Sequence, residues 1–212
     1  MRKMTTSSRR IGIFGASGSG KTTKALDLVK DCKRLIVFDV LDDFTGKFTR
    51  ITNFTFLKTF LIKNYAKGFR VAYVPPSGSE PFALSELCLF LKILQRGYKE
   101  GKHQVKICLF VDELNVSYPL GYHNRNPQNG FSFVNLQGRH YGINVVGVSQ
   151  RPSLVCLPFR ANLSDVFIFR MADFNDIKAA VQMFGSAYRQ QILDLPNYKY
   201  LYKNDQGKIS CE

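Results

Sequence analysis

One octapeptide constrains this chain more than any other feature. Residues 15–22 read Gly-Ala-Ser-Gly-Ser-Gly-Lys-Thr and satisfy G-x-x-x-x-G-K-[ST] at every defined position. A short apolar run at residues 10–14 precedes it, and residues 21–33 read as a helix. Strand, glycine loop, helix start is the order that phosphate binding requires. Glycines let successive backbone N–H groups converge on phosphate oxygens, and the helix N-terminus adds the positive end of its dipole. Lys21 is placed to reach the β- and γ-phosphates, and the Thr22 hydroxyl to ligate Mg²⁺. The expected nucleotide cradle is Gly15, Ala16, Ser17, Gly18, Ser19, Gly20, Lys21, Thr22 and Thr23, holding ATP. The plainer alternative is a flexible glycine turn ahead of an ordinary helix.

The rest of the chain alternates in the same manner. Apolar blocks at residues 34–40, 48–53, 69–74, 106–111, 143–148 and 165–169 read as strands. Helical spacing occupies residues 55–67, 80–101 and 174–193, and a hairpin-like stretch runs over 198–203 and 207–210. Strands that are apolar throughout and separated by helices predict an α/β fold, a mostly parallel sheet covered on both faces. The expected organisation is one domain over residues 10–212 behind a basic tail at residues 1–9. Residues 115–130 form the one long polar stretch. Tyr118, Tyr122, His123 and Arg125 there are candidates for a mobile nucleic-acid contact, against a disordered connection or a subunit contact.

Charge narrows the partner. The 30 Lys and Arg against 16 Asp and Glu give a net charge of +14. Twenty of the basic side chains lie in residues 1–106, so the surplus is lopsided. An excess of this size favours a polyanion, because neutralised phosphates release condensed counterions. The basic tail (Arg2, Lys3, Arg9, Arg10) is a further candidate for contact with DNA, capsid or lipid headgroups. Its neighbouring apolar patch is too short for a secretion signal, and no apolar run reaches membrane-spanning length, so an intracellular protein is expected. The five cysteines include no C-x-x-C pair and read as free thiols.

Two further strand ends carry chemistry. Residues 107–111 run into Asp112-Glu113, which places Asp112 beside the phosphate loop as the second Mg²⁺ contact. Glu113 is positioned to polarise a water for attack on the γ-phosphate, a group that a small-molecule kinase does not need. The third end is Ser149-Gln150-Arg151-Pro152. If its strand lies between the phosphate-loop strand and the Asp112 strand, Gln150 points at the γ-phosphate or the attacking water.

With these pieces in place the chain resembles the additional-strand P-loop ATPases, and within them the FtsK–HerA superfamily of DNA pumps. The resemblance rests on residues 15–22, residues 36–44 (Ile-Val-Phe-Asp-Val-Leu-Asp-Asp-Phe), Asp112-Glu113, and Gly138-Arg-His-Tyr-Gly142 leading into residues 147–152. A compact, strongly basic, single-domain member is most similar to the genome-packaging ATPases of membrane-containing icosahedral viruses. The resemblance implies a three-layer RecA-like core, a homo-oligomeric ring of six, and ATP hydrolysis that drives double-stranded DNA into a preformed capsid. It implies a place in the host-cell cytoplasm or at the packaging vertex of the virion, beside a capsid or membrane protein. It also implies an arginine acting on a neighbouring subunit's γ-phosphate. Arg139, Arg151, Arg160 and Arg170 are available, with Arg139 favoured and Arg160 next. Which of Asp42 and Asp43 acts after the second strand stays open. The competing readings are a virion-assembly or export ATPase working on protein or membrane partners, as in the toxin-like ATPases of filamentous phages, a small-molecule kinase, and a nucleotide-gated binding module.

Overall fold

The computed structural model describes residues 9–212. Its strands are β1 (Arg10–Phe14), β2 (Arg34–Phe38), β3 (Thr49–Ile51), β4 (Phe69–Tyr73), β5 (Ile107–Val111), β6 (Ile143–Ser149), β7 (Asp165–Phe169), β8 (Tyr200–Lys203) and β9 (Ile209–Cys211). They form one sheet in the order β3-β4-β2-β5-β6-β1-β7-β8-β9. The pairings from β3 across to β7 are all parallel, while β8 and β9 close the edge as an antiparallel hairpin.

Successive side chains of the central strands alternate between two buried faces. Ile11, Ile13, Leu35, Val37, Phe110, Val146 and Val148 pack with Ala25 and Val29 of helix Lys21–Val29. Ile36, Phe38, Leu109, Val111 and Val145 pack on the opposite side. That side is covered by helices Phe54–Asn64, Glu80–Leu94, Gly130–Gln137, Leu157–Ala161 and Phe174–Phe184. Burial on both faces is why these strands read as unbroken apolar blocks rather than alternating ones. The result is the three-layer α/β arrangement expected from the sequence.

Gly12 and Gly147 face one another across β1 and β6. A Cβ on Gly147 would stand 2.7 Å from both Leu114 and Phe159, so a bare backbone here lets the covering segments approach the sheet.

Several boundaries differ from the sequence reading for tertiary reasons. The helix expected over residues 80–101 breaks at Gln95, whose buried side chain donates to the Val105 and Tyr141 carbonyls at 3.0 and 2.9 Å. The helix expected over 174–193 ends at Gly185, with φ 101° and ψ 153°, and resumes at Arg189–Leu193. Residues 115–130 are not an open loop. They carry the short helices Leu114–Ser117 and Tyr122–Arg125, and Tyr118 is fully buried with its hydroxyl 2.8 Å from Ser132 Oγ. Tyr118 is therefore a core residue, not a nucleic-acid contact. Helix Gly130–Gln137 has no counterpart among the elements expected from the sequence. Asn129 caps it by accepting the N–H groups of Phe131 and Ser132. Its first residue fits against Ser85 and Leu89 only because glycine has no Cβ.

Arg9, the last residue of the expected basic tail, is buried and ion-paired with Asp165 at 3.3 Å. Residues 1–8, including Arg2 and Lys3, lie outside the described residues. Among the described residues no helix is long and apolar enough to cross a membrane.

Candidate active site

The sheet order β5-β6-β1 brings three strand ends to one edge. Phe14 is in register with Ser149, and Val111 with Gly147. The loop after β1, the Gln150 turn after β6 and Asp112-Glu113 after β5 therefore meet at the carboxyl edge of the sheet. Ligands of open parallel sheets bind at that edge.

The loop's backbone requires its glycines. Gly15 has φ 155°, and a Cβ there would stand 2.6 Å from Phe169 Cβ and 3.1 Å from Ser19 Oγ. Gly20 caps helix Lys21–Val29 at φ 103°. The Ala16 N–H donates to the Arg170 carbonyl at 2.8 Å, which ties the loop to the end of β7. Lys21 is buried, and its ammonium donates to the Ala16 carbonyl at 2.7 Å. Burial lowers its pKa, while Glu113 and Asp112 pull the other way. Ser19 Oγ is buried without a partner, and Thr22 and Thr23 face outward at the helix start.

The acidic side is more crowded than the sequence suggested. Asp112 is 6% exposed, and its pKa is raised to about 7, first by burial and then by Glu113, Asp39 and Asp43. Asp39, at the end of β2, was not foreseen. Its fully buried carboxylate accepts the Asp43 and Phe44 N–H groups at 3.0 and 3.1 Å, and burial raises its pKa. Asp42 is held by Arg50 at 2.7 Å, so of the two residues left open by the sequence it is Asp43 whose charge reaches Asp112. In the sequence Asp39 is marked only by its place after the second strand, inside residues 36–44, and its neighbour strand is set by the sheet order.

Glu113 adopts φ 46° and ψ 56°, the left-handed region that non-glycine residues enter mainly at constrained sites. Its Oε1 accepts a hydrogen bond from Gln150 Nε2 at 2.6 Å. Behind this pair Ser149 Oγ donates to Asn115 Oδ1 at 2.6 Å and accepts the Arg151 N–H at 3.0 Å, fixing the turn that carries Gln150. Asn115 carries no signal in the sequence, and Ser149 is marked there only as part of the strand end Ser149-Gln150-Arg151-Pro152.

A buried carboxylate whose pKa is raised by burial and then by neighbouring acidic groups, with a hydroxyl at the adjoining helix start, suits a hard divalent cation. Mg²⁺ at nucleotide sites takes only one or two protein ligands and draws the rest from phosphate and water. Among the described residues no three His, Cys, Asp or Glu side chains are arranged to hold a metal ion by themselves, which is compatible with such an ion.

The raised pKa of Asp112 has a measurable consequence. A carboxyl whose folded pKa of about 7 exceeds its unfolded value of 3.8 binds protons more tightly when folded. Its ionisation therefore destabilises the fold increasingly as pH rises from about 4 to about 7, and by a constant amount above that. Asp112→Asn is expected to raise the Tm of the ligand-free protein at pH 8 by a few degrees, with the gain shrinking toward zero near pH 4. Calorimetric scans across that range in the presence of chelator would show it, and a gain independent of pH would contradict the assignment.

The four arginines separate clearly. Arg151 pairs with Asp176 at 2.7 Å and lies 3.5 Å from Asp173, and Arg170 Nε donates to Asn197 at 2.6 Å beside its own phosphate loop. Arg160 is half-buried with its Nε unpartnered. Arg139 is exposed in the turn Gly138–Tyr141 ahead of β6, near Arg10, whose pKa is lowered first by burial and then by the Arg139 charge. The seven residues of β6 put roughly 20 Å between Arg139 and the Gln150 edge, so it cannot reach its own phosphate loop.

Solved structures share this architecture. The genome packaging NTPase B204 of Sulfolobus turreted icosahedral virus 2, in complex with ATP-gammaS, superposes with a TM-score of 0.76 at 13% identity over 96% of each chain. The chain shares the fold of this NTPase. B204 of Sulfolobus turreted icosahedral virus, a DNA-packaging ATPase, gives a TM-score of 0.67 at 15% identity over 96% of both chains. Thermomonospora curvata EccC (ATPases 2 and 3), in complex with a signal sequence peptide, gives 0.57 at 13% identity over 96% of this chain and 37% of that one. This RecA-like P-loop fold is thus met both as a separate chain and inside a longer ATPase. No family model matches the sequence, and no curated protein matches it.

Proposed function

We propose that this chain is an FtsK–HerA-type P-loop ATPase that hydrolyses ATP to move double-stranded DNA, packaging a viral genome into a preformed capsid. The hydrogen bond between Gln150 and Glu113 carries the reading. A carboxylate at the phosphate edge, oriented by an amide from the neighbouring strand, is the arrangement that activates water and reports the γ-phosphate. A kinase transfers to a bound acceptor and needs no activated water.

In this reading residues 15–23 cradle the triphosphate, and Lys21 leaves the Ala16 carbonyl to neutralise the β- and γ-phosphates. Asp112 and Thr22 hold Mg²⁺, which supplies charge neutralisation across the phosphates. Glu113 takes the proton of the attacking water, and Gln150 couples that carboxylate to the γ-phosphate position. Arg139, and after it Arg160, completes a neighbour's site in a ring of subunits, six in number. The surplus of +14 suits a grip on the DNA backbone that reads no bases. The protein then works in the host cytoplasm and at the packaging vertex, against a capsid or membrane protein.

The signal peptide bound to EccC favours one second reading, an ATPase that acts on a protein partner. One experiment separates the two. The ATPase rate is measured with and without double-stranded DNA, with the mass of the nucleotide-bound assembly recorded alongside. Stimulation by DNA that fades as salt rises supports the motor. Indifference to DNA and stimulation by a peptide moves the function to protein export. Lys21→Ala is the control and is expected to abolish ATP affinity or turnover, and normal hydrolysis by it would remove the phosphate-site assignment altogether.

A further inference from the structure

A second recognition element stands beside the phosphate loop. Lys199 N–H donates to the Pro196 carbonyl at 3.3 Å, closing a four-residue turn just before β8. Tyr198 occupies its third position at φ 65°. A positive φ there normally calls for glycine or asparagine, and a bulky aromatic is an outlier. Its side chain is not buried in exchange: Tyr198 is 72% exposed. A strained backbone that presents an exposed ring marks a place where the ring serves something other than packing.

The ring's position shows what that is. Tyr198 Cδ1 lies 3.5 Å from the point where a Cβ on Gly20 would stand, beside the residue that caps helix Lys21–Val29. The turn is also tethered to the phosphate loop. Arg170 accepts the Ala16 N–H on its carbonyl and donates from Nε to Asn197 Oδ1 at 2.6 Å. One residue thus joins the loop that would hold phosphates to the turn that carries the ring.

We infer that Tyr198 is the platform on which the base of the bound nucleoside triphosphate stacks. This rests on the phosphate-site reading above and extends it to the other end of the same ligand. Stacking on a π-face tolerates any base but favours the larger ring system, so purine nucleotides bind more tightly than pyrimidine ones.

The test compares ATP with inorganic tripolyphosphate, which shares the phosphates and lacks the base. Calorimetry is run on the wild-type chain, Tyr198→Phe and Tyr198→Asn. Asparagine tolerates the left-handed backbone, so the turn survives while the ring is lost. Tyr198→Asn is expected to weaken ATP about tenfold and leave tripolyphosphate unchanged, and Tyr198→Phe to retain wild-type affinity for both. Unchanged ATP affinity in Tyr198→Asn overturns the inference. So does an equal loss for ATP and tripolyphosphate, which would make the turn a support for the loop, or a loss of ring assembly at constant ATP affinity, which would make Tyr198 a subunit contact. If wild-type protein binds neither ligand, the phosphate-site reading itself fails and takes the platform with it.

Discussion

Glu113→Gln is expected to leave ATP and Mg²⁺ bound while hydrolysis falls by about 10²–10⁴. The substitution isolates chemistry from architecture unusually well at this position. The new amide oxygen still accepts the hydrogen bond that Gln150 Nε2 now gives to Glu113 Oε1, so the contact between β5 and β6 persists. The left-handed backbone at residue 113 is set by the turn into helix Leu114–Ser117, not by the charge. What disappears is the ability to take a proton from water. Burial, the main cause of the raised pKa of Asp112, is unchanged, and the lesser contribution of the Glu113 charge is removed, so Asp112 ionises more readily and stays available to Mg²⁺. Binding by fluorescent nucleotide and turnover by phosphate release distinguish the outcomes. Loss of affinity together with turnover would make Glu113 a structural residue.

The second large effect concerns the neighbour's arginine, a group that contributes roughly 10³–10⁵ in rate where ring or partner arginines complete a site. Arg139→Ala is expected to bind ATP normally and hydrolyse it poorly. Arg139 is exposed and lies across the sheet from its own phosphate loop, so any contribution to catalysis has to be made to another subunit. Mixing Arg139→Ala with Glu113→Gln protein then creates hybrid interfaces in which an intact Glu113 site faces an intact Arg139. Recovery of part of the activity in the mixture is the expected result. Recovery with Arg160→Ala but not with Arg139→Ala would reassign the role to Arg160, whose half-buried guanidinium has an unpartnered Nε. Full activity of both single variants on their own would exclude either as the trans-acting group.

The strand ends were legible because each depended on local pattern. An apolar run followed at once by Asp112-Glu113, or by Ser149-Gln150, carries its own position on the sheet edge, since a parallel strand can end in polar groups only where it leaves the core. The stretch at residues 115–130 failed for the complementary reason. Its Asn, Pro and Gly content describes turns correctly, yet composition cannot show that Tyr118 is inserted beneath helix Gly130–Gln137 to reach Ser132. Gln95 and Gly185 divided two helices whose apolar spacing continued through them, because a buried side-chain amide and a positive φ outweigh weak local propensity.

By itself, then, the sequence determined the phosphate loop, the α/β alternation and the carboxylates at the strand ends. These are properties of short contiguous segments whose physical meaning is complete within about ten residues. Only the tertiary structure decided which side chains meet there. The pairing of Gln150 with Glu113, the approach of Asp39 to Asp112 and the placing of Tyr198 against Gly20 join residues 37, 73 and 178 positions apart. Such contacts follow from strand order and register. Those are set by how the whole apolar surface is buried at once, which no local pattern encodes.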